Sequence, residues 1–219
     1  MNEEVAIIMP CYNCMPFLIE AIESIYNSTK MNFKLILVES ESTDGTAEYC
    51  DSLLKKYNNL EIYHTPKKGL TNAINIGIEM ARCNDVYITQ ADVIHFKLYG
   101  RDWLYEMFMT AHEDENIGMV TSLFGNGVSG EDYLKGLNWI GTWSCYIPRR
   151  TIDKVGLFDE NMGPGDDIDF SYRCIKAGLK FAMVPFWVQH HRFTDHEDAD
   201  SQAKQKRMGD YFKKKWNLK

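Results

Sequence analysis

Short apolar runs recur through the first half of the chain, each closing on a polar or charged side chain. Val5-Ala6-Ile7-Ile8-Met9 is unbroken and stops at Pro10, as a strand buried on both faces reads. Phe33 to Val38 closes at Glu39, and Leu60 to His64 and Val86 to Thr89 are two further strands. Between them, Phe17, Ile19, Ala21, Ile22 and Ile25 fall at roughly helical spacing. Ser42-Thr43-Asp44 caps a helix running to about Tyr57, and Leu70 to Ala81 is a third helix. Short strands alternating with helices imply βαβ units, hence an α/β fold with a mostly parallel central sheet flanked by helices.

The second half is less regular. Arg101 to Asp114 predicts a helix and Gly118 to Leu123 a strand, whereas Gly125 to Gly130 is too rich in glycine for either and reads as a mobile loop. Asp167 to Ala177 predicts a helix stopped by Gly178. Phe181 to Val184 and Trp187 to His191 read as two short strands around Pro185, and about Ser201 to Trp216 as a closing helix. The pattern contains no repeat and no clear linker. One domain over 1–219 is therefore expected, with a nucleotide-binding half to about residue 92 and an acceptor and catalytic half beyond it.

In an open parallel sheet, ligands gather outside the carboxyl ends of the strands. Those ends lead into Cys11-Tyr12-Asn13, Glu39-Ser40-Glu41-Ser42, Pro66-Lys67-Lys68-Gly69 and Ala91-Asp92. An aromatic ring, carboxylates, ammonium groups beside a glycine and a candidate metal ligand together suit a nucleoside diphosphate, although polar residues also simply populate loops. Much later comes a second acidic cluster, Gly165-Asp166-Asp167-Ile168-Asp169-Phe170. A carboxylate after a strand can hold a cation against a phosphate, and one opening a helix can take a proton from an acceptor. Trp139 and Trp143 offer ring faces for a sugar, or equally for a core.

Composition narrows this little. With 45% hydrophobic residues, 12 Tyr, 11 Phe and 5 Trp, the chain can bury a sizeable core, and a net charge of -7 argues against bulk nucleic-acid binding. The exception is the segment from Lys204 to Lys219, with seven Lys or Arg against one Asp. It reads either as a solvated helix or as a surface for an anionic acceptor or membrane. No apolar run is long enough to span a bilayer, and the acidic start lacks the shape of a signal peptide. A cytoplasmic protein, peripheral at the membrane at most, is expected. Cys11, Cys14, Cys50, Cys83, Cys145 and Cys174 then read as reduced thiols, and the C-x-x-C of Cys11 and Cys14 has no partner motif for zinc.

At this point the chain resembles the inverting glycosyltransferases of the GT-A (nucleotide-diphospho-sugar transferase) fold. Ile7 to Asn13 is similar to their opening strand and Pro-x-Tyr-Asn turn, and Val38 to Thr46 to their V-D-x-x-S-x-D-G-T signature, with Glu39 in place of Asp. Gly69 to Gly77 resembles the helix that follows. Gly156 to Glu160, then Gly165 to Asp169 and Arg173, resemble the G-x-F-D-E and E-D-x-D blocks, and Phe212 to Trp216 the common K-W ending. Gln90 departs from the first Asp of the family's Asp-x-Asp.

The resemblance implies a metal-dependent transfer, with inversion, of a sugar from a nucleotide-diphosphate donor to an acceptor hydroxyl. UDP is favoured, with GDP and dTDP open. Pro10, Tyr12, Glu39, Lys68, Asn72, Ala91 and Asp92 would bind the nucleotide. Asp92 and His191 would hold Mn²⁺ or Mg²⁺, with His190 a near rival. Asp167 would be the catalytic base, and Asp166, Trp139 and Trp143 would face sugar or acceptor. The acceptor could be a glycan, a lipid-linked sugar, a protein or a modified nucleic acid. The loop from Gly125 to Gly130 is expected to close over donor and metal. Alternatives are a non-catalytic sugar-nucleotide or carbohydrate-binding module, a nucleotidyltransferase, and a glycosidase, which needs two carboxylates but no nucleotide site.

Overall fold

The computed structural model describes residues 4–67, 69–82, 84–97, 100–124, 139–163, 165–191 and 199–218. Lys68, Cys83 and the segment from Gly125 to Gly130 lie outside the described residues. Eight strands form one sheet: β1 (Val5–Cys11), β2 (Phe33–Glu39), β3 (Leu60–His64), β4 (Val86–Thr89), β5 (Val93–His95), β6 (Ile117–Phe124), β7 (Ser144–Ile147) and β8 (Lys180–His190), in the order β3-β2-β1-β4-β7-β6-β8-β5. The pairs β3-β2, β2-β1, β1-β4 and β6-β8 are parallel, whereas β7 is antiparallel to both its neighbours and β5 to β8. The expected mostly parallel α/β sheet is thus present, with antiparallel insertions in its second half.

Alternation along β1 shows why the apolar runs are unbroken. Val5, Ile7 and Met9 enter one core cluster and Ala6 and Ile8 the other, so both faces are covered. Helices α1 (Phe17–Ser28) and α4 (Trp103–Glu113) cover the first face with Leu18, Ile22, Ile25, Leu104 and Met107. Across the sheet, α3 (Leu70–Met80), α5 (Arg149–Val155) and α6 (Asp166–Lys176) contribute Ile74, Ile78, Ile152, Phe170 and Cys174. At Gly77, α3 presses so close to β1 that a Cβ would lie 2.3 Å from Ile8 Cγ2. The remaining helices are α2 (Thr46–Leu53) and α7 (Ala199–Trp216).

Several sequence expectations need correction. The helix expected to reach Tyr57 ends at Leu53, and the segments on either side of Pro185 are one strand. Pro185 has no N–H for the ladder, and β8 accommodates it where the register jumps from Ser122↔Val184 to Leu123↔Trp187. Neither β5, β7 nor α5 was anticipated, because segments of three to seven residues carry too little of any period.

Candidate active site

The carboxyl ends of β1, β2 and β4 and the first turn of α3 enclose a cavity of ≈ 370 Å³. Its lining includes Pro10, Tyr12, Ser40, Leu70, Ala91 and Asp92. Cys11, Cys14, Gly69, Ala73 and Gln90 complete it. Four of the residues picked from sequence therefore meet here. Ser40, Leu70 and Ala73 were missed; their only signal was adjacency to the polar strand ends. Tyr12, a cavity-lining residue, is 47% exposed.

The loops after β1 and β2 hold each other in place. Asn13 N–H donates to Ser42 Oγ at 3.0 Å and Thr43 N–H donates to Asn13 Oδ1 at 2.8 Å. Asp44 accepts from Met15 N–H at 3.0 Å and from Thr46 Oγ1 at 2.6 Å, and Thr46 Oγ1 accepts from Cys14 N–H at 3.1 Å. The Ser-Thr-Asp segment thus fixes the turn that carries Tyr12 as well as the start of α2. Cys11, Cys14 and Cys50 are buried free thiols, and no group of three metal-ligating side chains exists among the described residues.

Glu39 lies behind this wall rather than in it. It is 2% exposed, accepts from Ser42 N–H at 2.6 Å through Oε1, and faces His64 Nδ1 at 3.0 Å through Oε2. Burial opposes its ionisation, but the bonds from Ser42 and His64 outweigh burial and its pKa is lowered. His64 also faces Asp51 Oδ1 at 3.0 Å, and its pKa is raised, first by Glu39 and then by Asp51 against the effect of burial. Asn72 is likewise set back from the cavity, donating its amide to Lys67 O at 3.1 Å. Lys67 itself pairs with Glu160.

Asp92 is buried to 2% exposure on the cavity wall. The histidine beside its carboxylate is His190, with Nε2 3.3 Å from Asp92 Oδ1. His191, expected from sequence at this position, instead faces Glu20 at 3.6 Å and packs on Phe17, and only its backbone N–H reaches Asp92 O, at 3.0 Å. Register explains the difference: His190 pairs with Val93, and successive residues of a strand point to opposite faces. Trp143 stacks over His190 with ring centroids 6.2 Å apart and meets Trp139 edge-on at 5.6 Å. Trp143 therefore borders the Asp92–His190 pair, with Trp139 packed against it.

The acidic cluster opens α6. Asp166, 3% exposed, accepts from Thr71 Oγ1 at 2.6 Å and from Asp167 N–H at 2.9 Å, so both its oxygens are engaged inside the protein. Thr71 follows cavity-lining Leu70, which ties this cluster to the cavity. Asp167 is half-buried and accepts from Ile168 N–H at 2.8 Å. Loss of solvent, with the adjacent Asp166 charge adding to it, lifts its pKa to about 7. A carboxylate held at that value is well matched to take a proton at neutral pH.

A mixed α/β sheet with a cavity at its strand ends, lined by Asp92, is the frame in which the chain compares with known proteins. The model of "Glycosyl transferase family 2" matches residues 6–169, and the chain belongs to that family. It is 35% identical over 215 residues to the minor teichoic acid biosynthesis protein GgaA of Bacillus subtilis, covering 89% of this chain and 48% of that protein. The mannosyltransferase PcManGT of Pyrobaculum calidifontis, solved with GDP-Man and Mn²⁺, superposes with a TM-score of 0.71 at 21% identity, covering 85% of this chain and 56% of that one. GalNAc-T7, solved with UDP, GalNAc and Mn²⁺, gives 0.72 at 16% identity over 86% of this chain and 44% of its own. Both share the GT-A fold. The chain spans less than half the length of the curated relatives it matches.

Proposed function

We propose that this chain transfers a sugar, with inversion, from a nucleotide-diphosphate donor to an acceptor hydroxyl, using a divalent cation. The observation that carries the reading is Asp167, a carboxylate raised to about 7 and tied through Asp166 and Thr71 to the cavity that Asp92 lines. Tyr12 stacks on the nucleobase, Pro10, Ala91 and Asp92 bound the nucleotide, and Glu39 acts from behind by holding the Ser42 turn. Asp167 accepts the hydroxyl proton as the acceptor oxygen attacks the anomeric carbon on the face opposite the diphosphate. Concerted transfer is required, because a carboxylate is far too weak a base to ionise an alkanol beforehand.

The residues beside the cavity fit a cation. Asp92 supplies a hard oxygen and His190 an imidazole nitrogen, nearly buried and 3.3 Å apart. That pair would suit Mn²⁺ somewhat better than Mg²⁺. A cation held there neutralises charge on the leaving diphosphate. UDP is the preferred nucleotide and GDP the competitor, since each accompanies Mn²⁺ in one of the two structural neighbours. The relationship to a minor teichoic acid biosynthesis protein supports a hydroxyl of such a polymer as acceptor.

A thermal-shift screen of UDP-, GDP- and dTDP-sugars with and without Mn²⁺ tests this directly. One donor should raise the Tm with Mn²⁺ by more than either component does alone, and the product should carry the opposite anomeric configuration by NMR. Retention of configuration, or no response to any nucleotide sugar, would overturn the reading.

A further inference from the structure

The basic residues of α7 suggest an outward surface, but its last turns reach inward to two carboxylates. Lys215 Nζ lies 2.7 Å from Asp159 Oδ2 and 2.8 Å from Asp169 Oδ1. Trp216 Nε1–H donates to that same Asp169 oxygen at 2.9 Å, and Tyr211 O–H donates to Asp159 at 3.2 Å. Asp169 is fully buried, and its other oxygen takes Arg173 Nε–H at 2.9 Å. The Trp216 ring packs edge-on against Tyr172 of α6, with centroids 4.9 Å apart.

A second contact lies on the other side of Asp167. Gly165 has φ +128°, and a Cβ there would come within 2.6 Å of Met208 Sδ. Helix α7 therefore touches the chain both before and after Asp167, at positions 165 and 169. We propose that α7 is a positioning element of the transfer reaction, in which Lys215 and Trp216 clamp Asp169 and thereby hold the first turn of α6 with Asp167 in place. The inference rests on Asp167 being the proton acceptor.

Electrostatics gives the clamp a signature that a merely structural contact lacks. Asp169 is compensated by Arg173, Lys215 and the Trp216 N–H. Its charge already acts to raise the pKa of Asp166, which in turn acts on Asp167, and the Asp167 charge acts to raise the Cys145 thiol of β7. Removing the Lys215 cation takes one positive charge from Asp159 and Asp169 and leaves Arg173 as the cation on Asp169, so the net negative charge near Asp167 grows and the pH at which Asp167 ionises should rise.

The test measures hydrolysis of the donor found in the thermal-shift screen, with Mn²⁺ present, across pH. Lys215→Met should lower kcat about tenfold with donor KM within about twofold, and should move the acid limb of the pH–rate profile upward. Trp216→Phe, which keeps the ring and loses the donor, should lower kcat about threefold. Lys215→Arg should recover most of the Lys215→Met loss. Parental kcat and an unmoved acid limb in Lys215→Met would overturn the clamp. Should Lys215→Met fail to fold, parental kcat in Trp216→Phe would overturn it equally. Asp167→Asn separates the two readings. Parental turnover in that variant removes the proton acceptor and the clamp with it, whereas its inactivity beside fully active Lys215→Met and Trp216→Phe rejects the clamp alone.

Discussion

Glu39 at the end of β2 and Asp167 at the start of α6 are both withdrawn from solvent, yet they ionise in opposite directions. Glu39 is the more buried of the two, at 2% exposure, and its pKa is lowered. Asp167 is only half-buried and is raised to about 7. For Asp167 loss of solvent around the carboxyl is the largest cause and the Asp166 charge adds to it, whereas for Glu39 the bonds it accepts outweigh burial. Glu39 receives a backbone N–H and an imidazole that is itself held by Asp51, whereas Asp167 receives one backbone N–H and lies against a second carboxylate. The first arrangement stabilises a charge, as a loop fastener requires. The second makes the charged form costly, as the proposed proton acceptor requires.

The sharpest break in this contrast is Asp167→Asn, which should lower turnover by about 10²-fold or more while leaving nucleotide affinity within a factor of about two. In the parent, turnover should fall about tenfold per pH unit below the Asp167 pKa of about 7, as the base takes up its proton. A profile flat from pH 5 to 8 would refute the assignment. Asp92→Ala should weaken Mn²⁺-dependent nucleotide binding about tenfold or more in calorimetry. Equal affinity with and without Mn²⁺ in parent and variant would mean that Asp92 holds no metal.

Stability should separate the two carboxylates by sign. Asp167 has a raised folded pKa, so its ionisation costs stability as pH rises from the acid range through about 7. Asp167→Asn should accordingly be more stable than the parent at pH 8, by on the order of 1–2 kcal/mol, and equal to it near pH 3. Glu39 has a lowered pKa, so its contribution is present at neutral pH and lost as pH falls through the folded value. Glu39→Gln should therefore be less stable than the parent at pH 7, by about 1 kcal/mol, with the gap closing in acid. The same sign for both in denaturant titrations would undo the comparison.

His64→Gln gives the smallest effect. Because the His64 pKa is raised, its stabilisation is fully present below the ordinary value of 6.5 and lost as pH rises through the folded value. A Tm difference between parent and variant should be seen at pH 6 and should shrink in alkali. A difference that grows with pH would contradict the Glu39–His64–Asp51 contact.

Much of the cavity's surroundings was legible because its physics is local. A strand buried on both faces must be an apolar run, and its end turns polar where it meets solvent, so Val5 to Met9, Phe33 to Val38 and the polar strand ends at Tyr12 and Asp92 announce themselves. The acidic start of α6 was readable for the same reason, being a contiguous cluster after a glycine. Three- and four-residue elements such as β5 and β7 were not, since they owe their existence to partners far along the chain.

The sequence by itself thus determined the α/β alternation, the sheet edge that carries the cavity and the identity of the carboxylates. Only the tertiary structure decided how those groups are used. Whether His190 or His191 meets Asp92 depends on the pairing of β8 with β5, a register between segments about a hundred residues apart. Whether the basic tail faces outward depends on Asp159 and Asp169 standing where Lys215 can reach both. The opposite ionisation of Glu39 and Asp167 depends on the donors that folding brings to each. Composition and period report what a residue can do, while pKa and pairing are set by the atoms that packing places around it.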